Sequence, residues 1–300
     1  MLEFQQRFST EDACRAYLRE SRWPEGFCCR RCGGRERYEL RTRELVTCRA
    51  CGAQTSVTAG TVLHRSHLPL REWFYAAYLV VTQTPGVSAT QLQRQLGLTR
   101  YETAWTMLQK LRRAMKRPDR DRLRGIVEVD ETYLGGPEKG LRGGRFRNSS
   151  KVEVVAAIEV RGEGSGRARL AIVPDSSYLS LGRFVRANVE LGSVLRTDAW
   201  QGYAPLRRQY DHRPVSQRGD GRNASKVLPR VHRLFSNLKT WIEGTHHGIG
   251  RGHVRAYLDE FVFRFNRRRT PMAAFRSLLG LAMVHGPTTY DRLYARESTG

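Results

Sequence analysis

Two C-x-x-C pairs stand fifteen residues apart near the start of this 300-residue chain: Cys29-Arg30-Arg31-Cys32 and Cys48-Arg49-Ala50-Cys51. Each pair is followed by a glycine, Gly33 or Gly52, so each can make a tight turn that presents two thiolates. Two such turns supply the four soft ligands that Zn²⁺ takes in a tetrahedron, and four protein ligands close the site, which makes the ion structural. The stretch 37–47 between them suits a hairpin. We therefore expect a zinc ribbon held by Cys29, Cys32, Cys48 and Cys51, with the metal contributing folding energy directly. Cys28 adjoins Cys29, but only Cys29 has the two-residue gap to Cys32. A redox pair is the competing reading. Five of the six cysteines fall between Cys28 and Cys51, whereas a secreted disulfide framework spreads them more evenly. The sixth, Cys14, reads as a small buried hydrophobe.

The charge limits the partners. Fifty-two Lys and Arg against 29 Asp and Glu give a formal net charge of +23. Such a surface has to meet a polyanion or a membrane. No stretch of 18 apolar residues exists, so no spanning helix is expected. The first residues lack a basic region followed by an apolar run, so no signal peptide is expected. Nucleic acid in the cytoplasm, at the nucleoid, is then the expected partner.

A second constraint lies in 125–136, Gly-Ile-Val-Glu-Val-Asp-Glu-Thr-Tyr-Leu-Gly-Gly. Val127 and Val129 alternate with Glu128 and Asp130, the period of a half-buried strand. Asp130 falls near the end of that strand, with Glu128 on its face and Glu131 on the other. A carboxylate there is costly to bury unless it is paired or binds a cation. An acid at a strand end also serves as an ordinary turn former. Asp198 closes a second short apolar strand, 193–198, and a matched pair of strand-end acids points to a site, since sites in open α/β sheets gather there.

Around these landmarks the chain reads as follows. A helix fills 1–20, with Ser9-Thr10-Glu11-Asp12 as its start signal. Helices cover 68–82 (Pro69 near its start), 87–97 (capped by Ser88) and 100–117 (capped by Thr99). The last two, joined by a Gly97 turn, resemble a DNA-binding helix-turn-helix with Arg100, Arg112, Arg113 and Lys116 on its second helix, or else a plain two-helix packing unit. Strands at 125–136, 152–160 and 167–173 suggest an antiparallel meander. The basic, Gly-rich loop 141–151 can lie on phosphates. A helix at 177–191 precedes the Asp198 strand, and 204–227 is basic and irregular. Helices follow at 231–245, 254–266 and 272–284, and the tail from His285 is loosely held. His232 and Lys239 share one face of the 231–245 helix. The expected division is 1–65, N-terminal helix and ribbon; 66–122, helix-turn-helix-like region; 123–285, a mixed α/β domain; and 286–300, the tail.

Together Val127-Glu-Val-Asp-Glu-Thr-Tyr-Leu-Gly-Gly136, Thr197-Asp-Ala-Trp-Gln-Gly-Tyr203, the 229–248 stretch PRVHRLFSNLKTWIEGTHHG and the 257–268 stretch YLDEFVFRFNRR resemble bacterial insertion-sequence transposases of the DDE superfamily, in the ISXO-like subgroup that carries an N-terminal zinc ribbon. The resemblance implies an RNase H-like catalytic core in 123–285: meander, helix, further strand and C-terminal helices. It implies that Asp130 and Asp198 are the first two acids of a metal-binding catalytic triad. The third position, usually Glu on a helix some 35 residues later, falls on His232, thirty-four residues after Asp198. The family's helical Lys then falls on Lys239. Asn237 and Glu243 compete with His232 on the same helix, though Glu243 lies about 16 Å further along its axis, at ~1.5 Å per residue. The implied activity is cleavage and strand transfer at element ends with Mg²⁺ or Mn²⁺ held by Asp130, Asp198 and His232. The implied partners are double-stranded DNA, both terminal inverted repeats and target, and a second copy of the chain in a homodimer or larger assembly. A DNA-binding protein that has lost catalysis, or a nuclease without strand transfer, is the alternative.

Overall fold

A computed structural model of the chain describes residues 2–40, 43–117, 120–135, 151–215, 227–289 and 293. They divide into two compact units, one from residues 1–117 with 269–294 and the other chiefly from 118–268.

The first unit opens with two helices, not one: α1, Leu2–Arg7, and α2, Glu11–Arg22. The predicted start signal divides them, because the Thr10 hydroxyl accepts a bond from the Ala13 N–H and begins a new helix. The ribbon follows as β1 (Arg37–Leu40), β2 (Leu45–Cys48) and β3 (Gln54–Thr55), all antiparallel. Next, α3 (Leu70–Thr82) buries nine of its thirteen residues. Pro69 precedes it, and no side chain at its own cap position satisfies its first N–H groups. Glu11 does so from α2, accepting from Leu70 and Arg71 N–H at 2.9 Å each. Helix α4 (Ala89–Leu96) is capped by the Ser88 hydroxyl and ends at Gly97, whose φ of 63° is left-handed. Helix α5 (Tyr101–Ala114) packs on α4. Thr99 is not its cap; Arg100 takes that position without a side-chain bond. Arg112, expected on the DNA side, is buried.

The second unit is built on a five-stranded sheet in the order β6-β5-β4-β7-β8. Strands β4 (Ile126–Leu134), β5 (Val152–Arg161) and β6 (Gly164–Ile172) form the antiparallel meander. Helix α6 (Tyr178–Asn188), capped by Ser177, crosses over to β7 (Val194–Asp198), which runs parallel to β4. The segment 204–227 is not all irregular. After a 3₁₀ helix at Gln201–Arg208, β8 (Asp211–Val215) pairs parallel with β7. Its Asp-His-Arg-Pro-Val sequence lacks alternation because it is an edge strand, where proline is tolerated. The three antiparallel strands followed by two parallel ones are the RNase H-like arrangement.

One face of this sheet is covered by α7 (Pro229–Trp241) and α8 (Val254–Asn266). There Val152, Val154, Ala156 and Ile158 of β5 pack with Leu234, Leu238, Tyr257 and Phe261. The other face packs Val127, Val129 and Leu195 against Leu181 and Val185 of α6 and Tyr203. Past Trp241 the chain makes one wide π turn, Ile242–His246, whose His246 ring stands edge-on to Trp241 and Tyr257, both at 4.8 Å. At the end of α8, Asn266 bonds the main chain of Ala168 in both directions: its Oδ1 accepts from the N–H at 2.7 Å and its Nδ2 donates to the carbonyl at 3.1 Å. Arg268 donates to the Ser165 carbonyl at 2.6 Å.

The last helix, α9 (Pro271–Val284), falls within 123–285 by sequence but packs with α2, α3 and α5 of the first unit. The reason is Phe275, which sits among the rings of Phe4, Phe8, Tyr17, Phe74 and Tyr78. Of the tail, His285 is held by the Lys116 carbonyl at 2.8 Å. The Gly136-Pro137 stop, nearly all of the 141–151 loop, 216–226 and most of the tail lie outside the described residues. Among the described residues no helix is long and apolar enough to cross a membrane.

Candidate functional site

Among the described residues, two clusters of ligand-type side chains form, one in each unit. In the ribbon, each C-x-x-C turn is closed by its glycine. Gly33 N–H donates to the Cys29 carbonyl at 2.8 Å and Gly52 N–H to that of Cys48 at 2.9 Å. Both glycines are left-handed, with φ of 74° and 68°, where a side chain is strained. The four Sγ atoms of Cys29, Cys32, Cys48 and Cys51 lie within 4.8 Å of one another. Cys29–Cys51 is 3.7 Å and Cys32–Cys48 is 3.6 Å. Four sulfurs held ~2.3 Å from one tetrahedral ion stand roughly 3.8 Å apart, so this set has the spacing zinc requires. The Cys32 and Arg31 main-chain N–H groups lower the Cys29 thiol to about 7, whereas Cys32, lowered by the Gly34 N–H but raised more by the Cys51 and Cys48 thiols, is pushed up to about 12. Cys28 is exposed and lies outside the cluster.

The second cluster forms where two parallel strands part. Strands β4 and β7 pair from Ile126 and Val194 only as far as Glu128 and Arg196. Strand β4 itself runs on to Leu134 against β5, so Asp130 is near the end of the parallel pairing, not the end of its strand. Beyond the fork, carboxylate oxygens of Asp130, Glu131 and Asp198 come within 4.8 Å of one another. Asp130 is 7 % exposed and faces α7; its Oδ1 accepts the Glu131 N–H at 2.9 Å. Asp198 Oδ1 accepts the Trp200 N–H at 3.1 Å. Gly202 is needed just after it, because a Cβ there would stand 2.6 Å from the Ser176 carbonyl. Glu131 projects to the opposite face, as its odd position requires, and is held by the Tyr203 hydroxyl, which donates to Oε2 at 2.6 Å. Burial, then the neighbouring Glu131, push the Tyr203 hydroxyl well above its ordinary pKa, so it stays a donor.

Helix α7 borders the cluster, and His232 meets it through Asp130 while lying outside the set of mutually close ligand atoms. His232 Nε2 lies 3.6 Å from Asp130 Oδ2 and is buried with no hydrogen-bond partner among the described residues. Burial lowers the ring's pKa against the opposing pull of Glu128 and Asp198, which favours the neutral imidazole. Asn237 and Glu243 are both exposed. Lys239 is also exposed, two turns beyond His232. Three carboxylates so close repel unless a cation joins them. Oxygen donors with one imidazole suit Mg²⁺ or Mn²⁺, and the orphaned Nε2 fits such a group.

The sequence reading gave no role to Glu131, Tyr203 or Glu128. Glu131 had a signal in its adjacency to Asp130, and Tyr203 in its place five residues after Asp198. Glu128, fully buried, accepts the main-chain N–H groups of Arg230 and Val231 at 2.8 and 3.0 Å.

Comparison with known proteins gives two family matches. Residues 9–54 match a family described as the transposase zinc-ribbon domain, and residues 122–266 match the ISXO2-like transposase domain. An uncharacterized protein in transposable element ISH50 of Halobacterium salinarum is 25% identical over 299 residues, covering 92% of this chain and 98% of its own. The simian T-cell lymphotropic virus intasome in complex with PP2A regulatory subunit B56 gamma, solved by cryo-electron microscopy, aligns over 57% of this chain and 67% of its own. Its identity is 12% and its TM-score 0.28, too low to bear on the fold.

Proposed function

The chain belongs to the ISXO2-like transposases, and we propose that it cuts DNA at the ends of an insertion sequence and joins them to target DNA. One observation carries this reading. In a chain of this family, Asp130 and Asp198 converge with Glu131 at a strand fork, and His232 Nε2, with no hydrogen-bond partner among the described residues, stands 3.6 Å from Asp130. Asp130, Asp198 and His232 hold Mg²⁺ or Mn²⁺, and Glu131 adds a third carboxylate beside them. The bound cation supplies Lewis acidity to the phosphodiester and lowers the pKa of the attacking hydroxyl.

The protein's own groups do the rest. The Tyr203 hydroxyl fixes Glu131, and the Glu131 and Trp200 N–H groups fix Asp130 and Asp198, so the carboxylates meet the substrate pre-oriented. His232 presents a neutral ring nitrogen and keeps the site's negative charge lower than the family's Glu would. Lys239, about 10 Å further along the helix at ~1.5 Å per residue, meets a phosphate of the element end. Hydrolysis there frees a 3′-hydroxyl, and the same residues serve its in-line attack on the target. The basic surface, the N-terminal helix and ribbon region (1–65) and the helix-turn-helix-like region (66–122) bind the terminal repeats at the nucleoid. Two element ends require two catalytic units, hence a dimer or larger assembly on DNA.

Strand transfer by the unaltered protein and by Asp130→Asn, on DNA carrying the element's ends with Mg²⁺ or Mn²⁺, tests this. Joining by the first alone supports it. Binding without cutting under either metal favours the DNA-binding protein without catalysis, the reading that His232 in place of Glu speaks for. Cutting without joining would make it a nuclease.

A further inference from the structure

We infer that Glu128 is a positioning residue that ties the helix bearing His232 to the strand bearing Asp130. Its carboxylate is 0% exposed, and the proposed chemistry does not use it.

The start of α7 shows what it is for. A helix leaves its first N–H groups without intrahelical partners. Here the N-cap residue, Leu228, offers no side-chain bond. Pro229, at the first helical position, has no N–H to satisfy. His232 N–H makes the first bond of the helix, to the Leu228 carbonyl at 3.2 Å. That leaves Arg230 and Val231, and both donate to one oxygen, Glu128 Oε2. The negative charge also faces the positive end of the helix dipole. Arg230 adds its guanidinium 3.8 Å from Glu128 Oε1 and donates to the Gly162 carbonyl at 3.0 Å.

The consequence is geometric. Glu128 and Asp130 are two residues apart on one face of β4, ~7 Å along the strand. Val231 and His232 are adjacent on α7. Fixing the helix start to Glu128 therefore sets where the His232 ring meets Asp130 Oδ2. Reach matters here more than charge: glutamine keeps an acceptor at the same distance, while aspartate, one methylene shorter, cannot reach both N–H groups. A similar device occurs in the first unit, where Glu11 takes the Leu70 and Arg71 N–H groups behind Pro69, one on each oxygen. There it orients only a core helix.

The inference rests on the proposed metal site, and the test separates the two. Glu128→Gln, Glu128→Asp and a control, Glu159→Gln, are compared with the unaltered protein. Glu159 is a buried acid of the same sheet, paired with Arg167 at 2.7 Å. Amide exchange at 230–231 is followed without metal, the His232 ring signal by ¹⁵N spectroscopy, and Mn²⁺ affinity by calorimetry. Glu128→Asp is expected to speed exchange at 230–231, shift the His232 signal and weaken Mn²⁺ about tenfold or more, as loss of an outer-sphere partner does. Glu128→Gln should stay within a few-fold of the unaltered protein on all three, and Glu159→Gln should lower stability without moving them. Slow exchange in Glu128→Asp, unchanged Mn²⁺ affinity there, or equal losses in Gln and Asp would each overturn the inference. If Glu128→Asp does not fold, Glu128→Gln still decides, since fast exchange at 230–231 in that variant contradicts it. If Asp130→Asn binds Mn²⁺ like the unaltered protein, the metal site is wrong, and the exchange measurement still judges the Glu128 tie by itself.

Discussion

The ribbon and the strand fork are both ligand clusters, but they are built in opposite ways. The ribbon takes its four sulfurs from a span of 23 residues, two turns closed by their own glycines. Its apolar core is small, centred on Phe27, Cys29, Val46 and Cys48. The fork takes its groups from two strands, a crossover and a helix that reach from Glu128 to His232, on a sheet packed on both faces. A local, closed site depends on its metal to fold. A distributed site depends on the fold to assemble, and can be emptied without collapse.

Metal removal breaks the comparison most sharply. Apparent metal-binding free energies of small zinc modules are on the order of 10 kcal/mol. Chelation, or Cys48→Ser, should therefore abolish amide protection throughout 27–55 while the five-stranded sheet keeps its own, as hydrogen exchange will register. Asp130→Asn should have the converse signature: an unchanged melting profile, with cleavage reduced on the order of a thousandfold, about 4 kcal/mol, in a single-turnover assay.

Acid distinguishes the scaffold from the site it carries. Burial alone would raise the Glu159 pKa, but bonds from the Arg167 side chain and from the Arg167 and Arg124 N–H groups outweigh it and bring it to about 2, from an ordinary 4.5. A carboxyl depressed by folding stabilises fully above its unfolded value. Its contribution, on the order of 2–3 kcal/mol, is lost as pH falls from about 4.5 towards 2. Glu159→Gln should flatten that acid limb in denaturant titrations and leave the zinc content unchanged. The smallest effect belongs to Tyr203→Phe. Losing one hydrogen bond to a charged group costs about 1.5 kcal/mol, seen as a few-fold to tenfold weaker Mn²⁺ binding in calorimetry.

The same contrast explains what the sequence discloses. The ribbon is legible because spacing and glycine chemistry are local, down to Cys29 over Cys28. The apolar runs of β4, β5, α6 and α8 are legible because they face a packed core. Strand β8 is not, since an edge strand has no buried alternation to display, and Thr99 looks like a cap that the backbone gives to Arg100. Helix α9 is plain as a helix, yet which unit it joins depends on the partners of Phe275. Glu131 is hidden for a subtler reason. Alternation sends it to the wrong face, and only the parting of β4 from β7 brings its carboxylate back to Asp130.

The clasp of Asn266 on Ala168 has a consequence for self-association. Strand β6 is one border of the sheet, and a border strand with free amides invites another chain to extend it. Asn266 occupies both main-chain groups of Ala168, and Arg268 takes the Ser165 carbonyl. The opposite border, β8, carries Pro214, which has no amide hydrogen to offer. Both margins are thus blunted against strand addition, and the assembly proposed above would have to form through other surfaces than a continued sheet.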